Sequence, residues 1–213
     1  MRQRKIRHLD EKIGAHDSFV VENPKEHRGK WAEMFKEPGP LYLEIGCGKG
    51  QFVTDLAVKH PEWNLLAFEG HQSVALHALE KADEKDCSNV RFVLEYINGL
   101  CEIFDDGEVD GIFLNFSDPW PKARHEKRRL TCETRLSEYA RVVKNGGFVE
   151  FKTDNDELFE YSITQVENLN MEIAEMYRDL HDAKAPEEIV TTEYEDKFAA
   201  EGKKINFMKI NIL

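Results

Sequence analysis

The sequence lacks most of the features that assign a protein to a class at a glance. No apolar run in its 213 residues approaches the ~20 that a bilayer-crossing helix needs, which excludes a membrane span. The opening residues Met1-Arg2-Gln3-Arg4-Lys5-Ile6-Arg7-His8 have no apolar stretch behind them, so no secretory signal is expected and the cytoplasm is the expected compartment. Cysteine is sparse: Cys47, Cys87, Cys101 and Cys132 stand far apart with no CxxC pair, which fits free thiols in a reducing compartment better than disulfides or zinc. His60, His71, His77 and His181 show no ligand spacing with acids or cysteines, so no metal site is expected. Internal repeats and low-complexity segments are also missing. Positive charge is in deficit, with 29 Lys+Arg against 41 Asp+Glu and a formal net charge of -12. On that total alone, a nucleic-acid partner would be excluded.

The distribution of charge reverses that conclusion. Residues 1–8 and 122–129 together carry nine of the 29 basic side chains and one of the 41 acidic ones, leaving 20 basic against 40 acidic elsewhere. Exposed charges interact over a Debye length of ~8 Å at physiological salt, so a segregated basic cluster can hold phosphate on an acidic molecule. The second cluster follows Asn115-Phe116-Ser117-Asp118-Pro119-Trp120-Pro121-Lys122, a stiff loop with a tryptophan between two prolines, and continues as Arg124-His125-Glu126-Lys127-Arg128-Arg129. An aromatic ring beside concentrated positive charge points to a local anionic partner with stackable bases.

With 41% hydrophobic residues, the length suits one domain with a substantial core. From residue 41 onward, short apolar runs alternate with helical stretches. Strands are predicted at Leu41 to Ile45, Leu65 to Glu69, Val90 to Leu94, Gly111 to Phe116 and Phe148 to Thr153. Helices are predicted at Gln51 to Lys59, Ser73 to Asp83, Gly99 to Phe104, Thr131 to Val143 and Asp156 to Glu167. This order implies an α/β fold of right-handed βαβ units around a mostly parallel sheet with helices on both faces. Two late strands, Glu172 to Asp179 and Ile205 to Ile212, are joined by a long loop and predict a seven-stranded sheet with an antiparallel C-terminal strand. Residues 1–40 lack the rhythm and read as an N-terminal extension with a basic arm and one helix near His27 to Phe35; residues 41–213 form the domain.

Ligands of such sheets bind beyond the carboxyl ends of the strands, where the winding reverses. Glu44-Ile45-Gly46-Cys47-Gly48-Lys49-Gly50 leaves the first strand and opens the first helix there. Its glycines allow close backbone approach, and the helix N-terminus supplies free N–H groups with a partial charge of ~0.5. Glu44 would repel a pyrophosphate but suits an ammonium group. Glu69, at the end of the second strand, is placed to accept ribose hydroxyls. An amino acid joined to a nucleoside satisfies both acids, and S-adenosylmethionine has that composition. Lys49 reads as a solvated helix-start residue.

The loop after the fourth strand faces this turn across the switch point, and its sequence closely resembles the bacterial tRNA (guanine-N7)-methyltransferases, which form 7-methylguanosine at position 46 of the tRNA variable loop. The resemblance rests on the basic N-terminus, Leu43 to Phe52, Leu114 to Leu130, Phe151 to Asn155 and Thr192 to Phe198, and covers essentially the whole chain. It implies a Rossmann-like class I methyltransferase fold. By position it also implies cofactor contacts from Glu44, Gly46, Gly48, Glu69 and Asp118, with Asp118 the catalytic residue. Substrate contacts would come from Lys122, Asp154, Thr192, Glu193, Tyr194 and Glu195, and RNA-backbone contacts from Arg124, His125, Glu126, Lys127, Arg128 and Arg129. One position departs from the pattern. Where the family has a short polar residue or acid against the adenine, this chain reads Glu95-Tyr96-Ile97-Asn98, so either Tyr96 stacks on the adenine or Glu95 takes over the contact.

Guanine N7 carries a lone pair and no proton at neutral pH, so the chemistry calls for alignment rather than a general base. Asp118 is therefore expected to accept hydrogen bonds from guanine N1–H and N2–H and to offset charge developing on the ring. Asp154 reads either as a cap for the helix that follows or as a substrate contact. Thr192 to Glu195 is expected in a loop before the last strand, and Arg2, Arg4, Lys5 and Arg7 either fold on RNA or form a solvated terminus. The alternatives are a methyltransferase for another base or amine, since the Asp-Pro-Trp loop suits exocyclic amino groups, and a non-catalytic RNA-binding protein of this fold. A monomer and a homodimer both fit the sequence.

Overall fold

The alternating pattern resolves into α/β units in a computed structural model that describes residues 6–184 and 189–213. Arg2, Arg4 and Lys5 of the basic arm lie outside the described residues. In chain order the elements are α1 (Leu9–Gly14), β1 (Leu41–Ile45), α2 (Gln51–Lys59), β2 (Asn64–Phe68), α3 (Gln72–Glu84), β3 (Val90–Val93) and β4 (Val109–Asn115). They continue with α4 (Glu133–Val142), β5 (Val143–Thr153), α5 (Asp156–Asn168), β6 (Glu172–Tyr177), α6 (Leu180–Ala183), α7 (Glu193–Ala200) and β7 (Asn206–Asn211).

The strands form one seven-stranded sheet in the order β3-β2-β1-β4-β5-β7-β6. β1 lies between β2 and β4, parallel to both, and the winding reverses at the β1–β4 step, as the sequence predicts. β7 runs antiparallel to β5 and to β6, which makes it the reversed strand expected near the C-terminus. Leu43, Leu66, Ile112, Leu114, Val149 and Phe151 have almost no exposure, because a parallel strand in this position is covered on both faces. Each such side chain contributes ~1.5–3 kcal/mol of burial, so the centre of the sheet is its rigid part. Loops that leave β1 and β4 inherit that rigidity.

The N-terminal extension packs against the domain. Trp31 is fully buried, stacks on Phe104 at 5.3 Å and donates its indole N–H to the Ile103 carbonyl at 2.9 Å. The Val21 amide donates to the Phe92 carbonyl at 2.8 Å, so the extension covers the β3 edge and leaves it less open to pairing with another chain.

Three local expectations require correction. The helix near His27 to Phe35 is two 3-10 turns, Pro24–His27 and Trp31–Met34, interrupted where Gly29 turns left-handed with φ 72°. The helix at Gly99 to Phe104 is one 3-10 turn, Leu100–Glu102, because Gly99 sits at φ 96°, outside helical space. The segment Thr192 to Glu195, expected in a loop, caps and begins α7. The Thr192 hydroxyl accepts the Glu195 amide at 3.0 Å, which is half of a capping box.

At the rim where the parallel strands begin, Gly29, Phe35, Gly39, Asn64 and Asp110 line a hollow of about 240 Å³. The residues singled out for chemistry gather at the opposite rim.

Candidate functional site

β1 ends by burying an acid. Glu44 is 3% exposed; one carboxylate oxygen accepts from Asn115 Nδ2 at 2.9 Å, and the other is buried without a hydrogen-bond partner. Burial pushes its pKa up to about 7, Asn115, Lys152 and the Val53 backbone oppose the shift, and the charge of Glu193 adds to it. A buried carboxylate oxygen with no partner is costly, and a cation supplied from outside would satisfy it.

The chain then turns through Gly46, Gly48 and Gly50, all left-handed at φ 83°, 58° and 79°. These glycines serve two purposes. A Cβ on Gly50 would lie 2.5 Å from the Ala78 methyl, so this glycine lets α2 approach α3. A Cβ on Gly46 or Gly48 would meet nothing within 4 Å, which leaves the outer face of the turn open to a ligand. Behind it, α2 presents the unpaired N–H groups common to every helix start. Cys47 lies within the turn; burial, then the Glu44 and Glu69 charges, raise its pKa, so it is a packed thiol and no nucleophile.

Glu69 clamps the turn from β2. One of its oxygens accepts the Gly48 amide at 3.1 Å and the other the His71 amide at 2.8 Å. A carboxylate has about four acceptor positions, so acceptors remain for hydroxyl groups of a ligand. Tyr96 is 60% exposed, and its hydroxyl lies 2.8 Å from His71 Nε2. Its ring occupies the space a side chain at Gly70 would need, since a Cβ there would come within 2.4 Å. Partial desolvation, then the Glu69 and Asp118 charges, raise the phenol's pKa, so both carboxylates act on this ring.

Asp118 stands in a loop under backbone strain. Phe116 and Trp120 on either side of it are left-handed at φ 51° and 41°, each costing on the order of 1–3 kcal/mol for a non-glycine residue. The Phe116 amide bonds to the Lys152 carbonyl at 2.9 Å. Arg129 pins the other end by donating to the Pro119 carbonyl at 3.0 Å and the Trp120 carbonyl at 3.1 Å, while its guanidinium stacks 4.2 Å above Tyr161. Arg128 lies 4.8 Å over the Trp120 ring, and His125 meets that ring edge-on. Three members of the expected RNA-contacting run, His125, Arg128 and Arg129, therefore brace the loop, and one face of Trp120 already carries a guanidinium. Lys122, Arg124 and Lys127 are exposed. Glu126 acts on the Tyr161 phenol, raising its pKa after burial.

The residues expected to touch substrate divide into separate groups. Glu195 is fully buried and paired with Lys152 at 3.1 Å, and Thr192 is buried as the α7 cap. Glu193 pairs with Lys81 on α3, whereas Tyr194 is 63% exposed and tilts against Phe198, which in turn meets Phe116. Asp154 is not the α5 cap; Asn155 takes that position, accepting the Leu158 amide at 2.7 Å. Asp154 instead lies 3.7 Å from Lys203, at a cavity of about 660 Å³ shared with Arg178 and Lys204.

Sequence reasoning assigned no role to Asn115, Lys152 or Gln51. The available signals were an amide ending an apolar strand and a lysine near the end of the Phe148 to Thr153 strand run. Among the described residues, no group of three His, Cys, Asp or Glu side chains is placed to hold a metal ion, and no helix is long and apolar enough to cross a membrane.

Residues 38–208 match the family described as "Putative methyltransferase". A tRNA (guanine-N(7)-)-methyltransferase of Lactococcus lactis subsp. cremoris is 44% identical over all of this chain and 99% of its own length. The protein of that name from Lactiplantibacillus plantarum is 45% identical over 89% of each chain. Among solved structures, an antibiotic-related methyltransferase shares 17% identity at a TM-score of 0.63, covering 91% of this chain and 96% of its own. An S-adenosylmethionine-dependent methyltransferase from Aquifex aeolicus shares 14% at 0.57, covering 98% and 100%. At those identities the solved structures bear on the fold alone.

Proposed function

The chain belongs to the tRNA (guanine-N(7)-)-methyltransferase family, and on that premise we propose that it transfers a methyl group from S-adenosylmethionine to N7 of guanine 46 in the tRNA variable loop, in the cytoplasm. The observation that carries this reading is the buried, half-partnered Glu44 beside an open glycine turn, across the β1–β4 step from the Asp118 loop.

The residues present fit the cofactor. Glu44 would accept its ammonium group, the Gly46 to Gly48 turn and the α2 start its carboxylate, Glu69 its ribose hydroxyls, and Tyr96 would flank its adenine. When bound, the cofactor supplies an electrophilic methyl group on a sulfonium. Every other task falls to the chain. Asp118 orients the guanine by accepting from N1–H and N2–H and offsets positive charge on the ring, and no base is required before attack. Lys122, Arg124 and Lys127 hold the RNA backbone, while His125, Arg128 and Arg129 keep the loop in shape.

Unmodified tRNA incubated with labelled cofactor tests the reading. Borohydride and aniline should cleave the product at the variable loop, and label incorporated without cleavage there would overturn it.

A further inference from the structure

By sequence pattern, Thr192 to Glu195 belongs with the substrate, yet its structural ties run inward. Lys152 at the end of β5 and Glu195 in α7 form an ion pair at 3.1 Å with 5% and 0% exposure, and Lys152 also donates to the Val190 carbonyl at 2.8 Å. His181 Nε2 lies 3.1 Å from the other Glu195 oxygen. The same lysine lies 5.4 Å over Phe52 in the first turn of α2, so sheet, cofactor-side helix and α7 meet at one charge. Two outer clamps follow the same direction. Gln51, the first residue of α2, donates to Asp196 at 2.7 Å, and Lys81 on α3 pairs with Glu193. Gln51 directly follows Gly50, and Lys81 lies one helical turn beyond Ala78, against which Gly50 packs, so this end of α7 lies beside the glycine turn. Only the opposite side, with Tyr194 and Phe198, faces the Asp118 loop through Phe116.

We propose that α7 is a latched cover over the cofactor turn, with the buried Lys152–Glu195 pair as its latch and Gln51 and Lys81 as its clamps. Glu195 is then a positioning residue for the cofactor and does not read RNA. A buried pair of this kind loses its stabilisation when one partner is neutralised, because the other charge stays behind without compensation. The cover rests on the reading of the glycine turn as the cofactor site.

The test uses the full chain and two separate probes, S-adenosylhomocysteine without RNA and unmodified tRNA without cofactor. Glu195→Gln should weaken S-adenosylhomocysteine binding about 10-fold or more, as expected for a stranded buried charge. Gln51→Ala and Lys81→Ala should each weaken it about 3-fold, the scale of a single partly exposed contact. Affinity for tRNA should stay within about 2-fold in all three, and amides of 189–200 should exchange faster with solvent. Loss of tRNA affinity with S-adenosylhomocysteine binding unchanged would overturn the proposal, as would no change in either. If Glu195→Gln does not fold, the two clamp variants decide the matter by the same criteria. Failure of the unaltered protein to bind S-adenosylhomocysteine would instead overturn the cofactor reading beneath it.

Discussion

Asn115 Nδ2 donates to Glu44 Oε1 at 2.9 Å across the β1–β4 step, joining the strand that ends in the glycine turn to the strand that leads into the Asp118 loop. Among the described residues this is the one side-chain hydrogen bond recorded to the Glu44 carboxylate, and the Val53 backbone also favours its charged form. Asn115→Leu keeps the volume and removes the donor. A lost partner for a buried charged group costs about 1–3 kcal/mol, so S-adenosylhomocysteine binding should weaken about 10- to 100-fold by titration calorimetry. Unchanged affinity would show that the amide does not hold Glu44 in place.

The raised pKa of Glu44 has a defined sign. In the unfolded chain this carboxyl ionises near 4.5, and in the folded protein near 7. Between those values the folded state binds the extra proton, so stability from this group falls as pH rises from 4.5 to 7, by about 3 kcal/mol in all. Lys152 and Glu193 are the neighbouring charges that oppose and reinforce the shift. Urea unfolding across this range should show that Glu44→Gln removes that part of the slope. An ammonium ligand favours the ionised form, so S-adenosylhomocysteine affinity should rise with pH up to about 7, with proton release detectable from buffer-dependent binding heats.

Arg129 and Arg124 adjoin the same basic run and should behave differently. Arg129→Ala removes two charge-assisted bonds to the Pro119 and Trp120 carbonyls and should lower stability by about 2–3 kcal/mol and slow methyl transfer. Arg124→Ala should leave the melting temperature unchanged and reduce the salt dependence of tRNA binding by about one phosphate contact. Equal salt slopes for the two variants would contradict the division.

Asp118→Ala should reduce single-turnover methyl transfer about 100-fold or more, the scale of losing one group that stabilises developing charge. S-adenosylhomocysteine affinity should change little by comparison, since Asp118 is exposed and its proposed task is to orient the guanine. A normal single-turnover rate would remove Asp118 from the chemistry.

What the sequence made legible follows from periodicity and from local rules. Five parallel strands, the reversed β7 and the glycine turn were readable because short apolar runs, turn glycines and an acid at a strand end are local signals. Position in space was not readable. Glu195 sits in a Thr-x-x-Glu capping pattern, which places its backbone, but its pairing with Lys152 spans 43 residues and leaves no local trace. Arg129 looks like any other member of a basic run until its two carbonyl partners are known. Gly99 and Gly29 stopped the predicted helices because left-handed backbone overrides apolar spacing.

Glu44, Glu69, Tyr96 and Asp118 all lie at or just beyond the ends of parallel strands, and at the opposite rim Gly39 and Asp110 line a small hollow. That polarity gives the molecule a working edge and a handle. A cysteine introduced at the exposed Glu62, beside the start of β2, would take a fluorophore or a bead tether on the handle side. Of the native thiols Cys47, Cys87 and Cys132 are buried, so coupling would compete only with the partly exposed Cys101, and the enzyme would be immobilised with its RNA-facing edge turned to the solution.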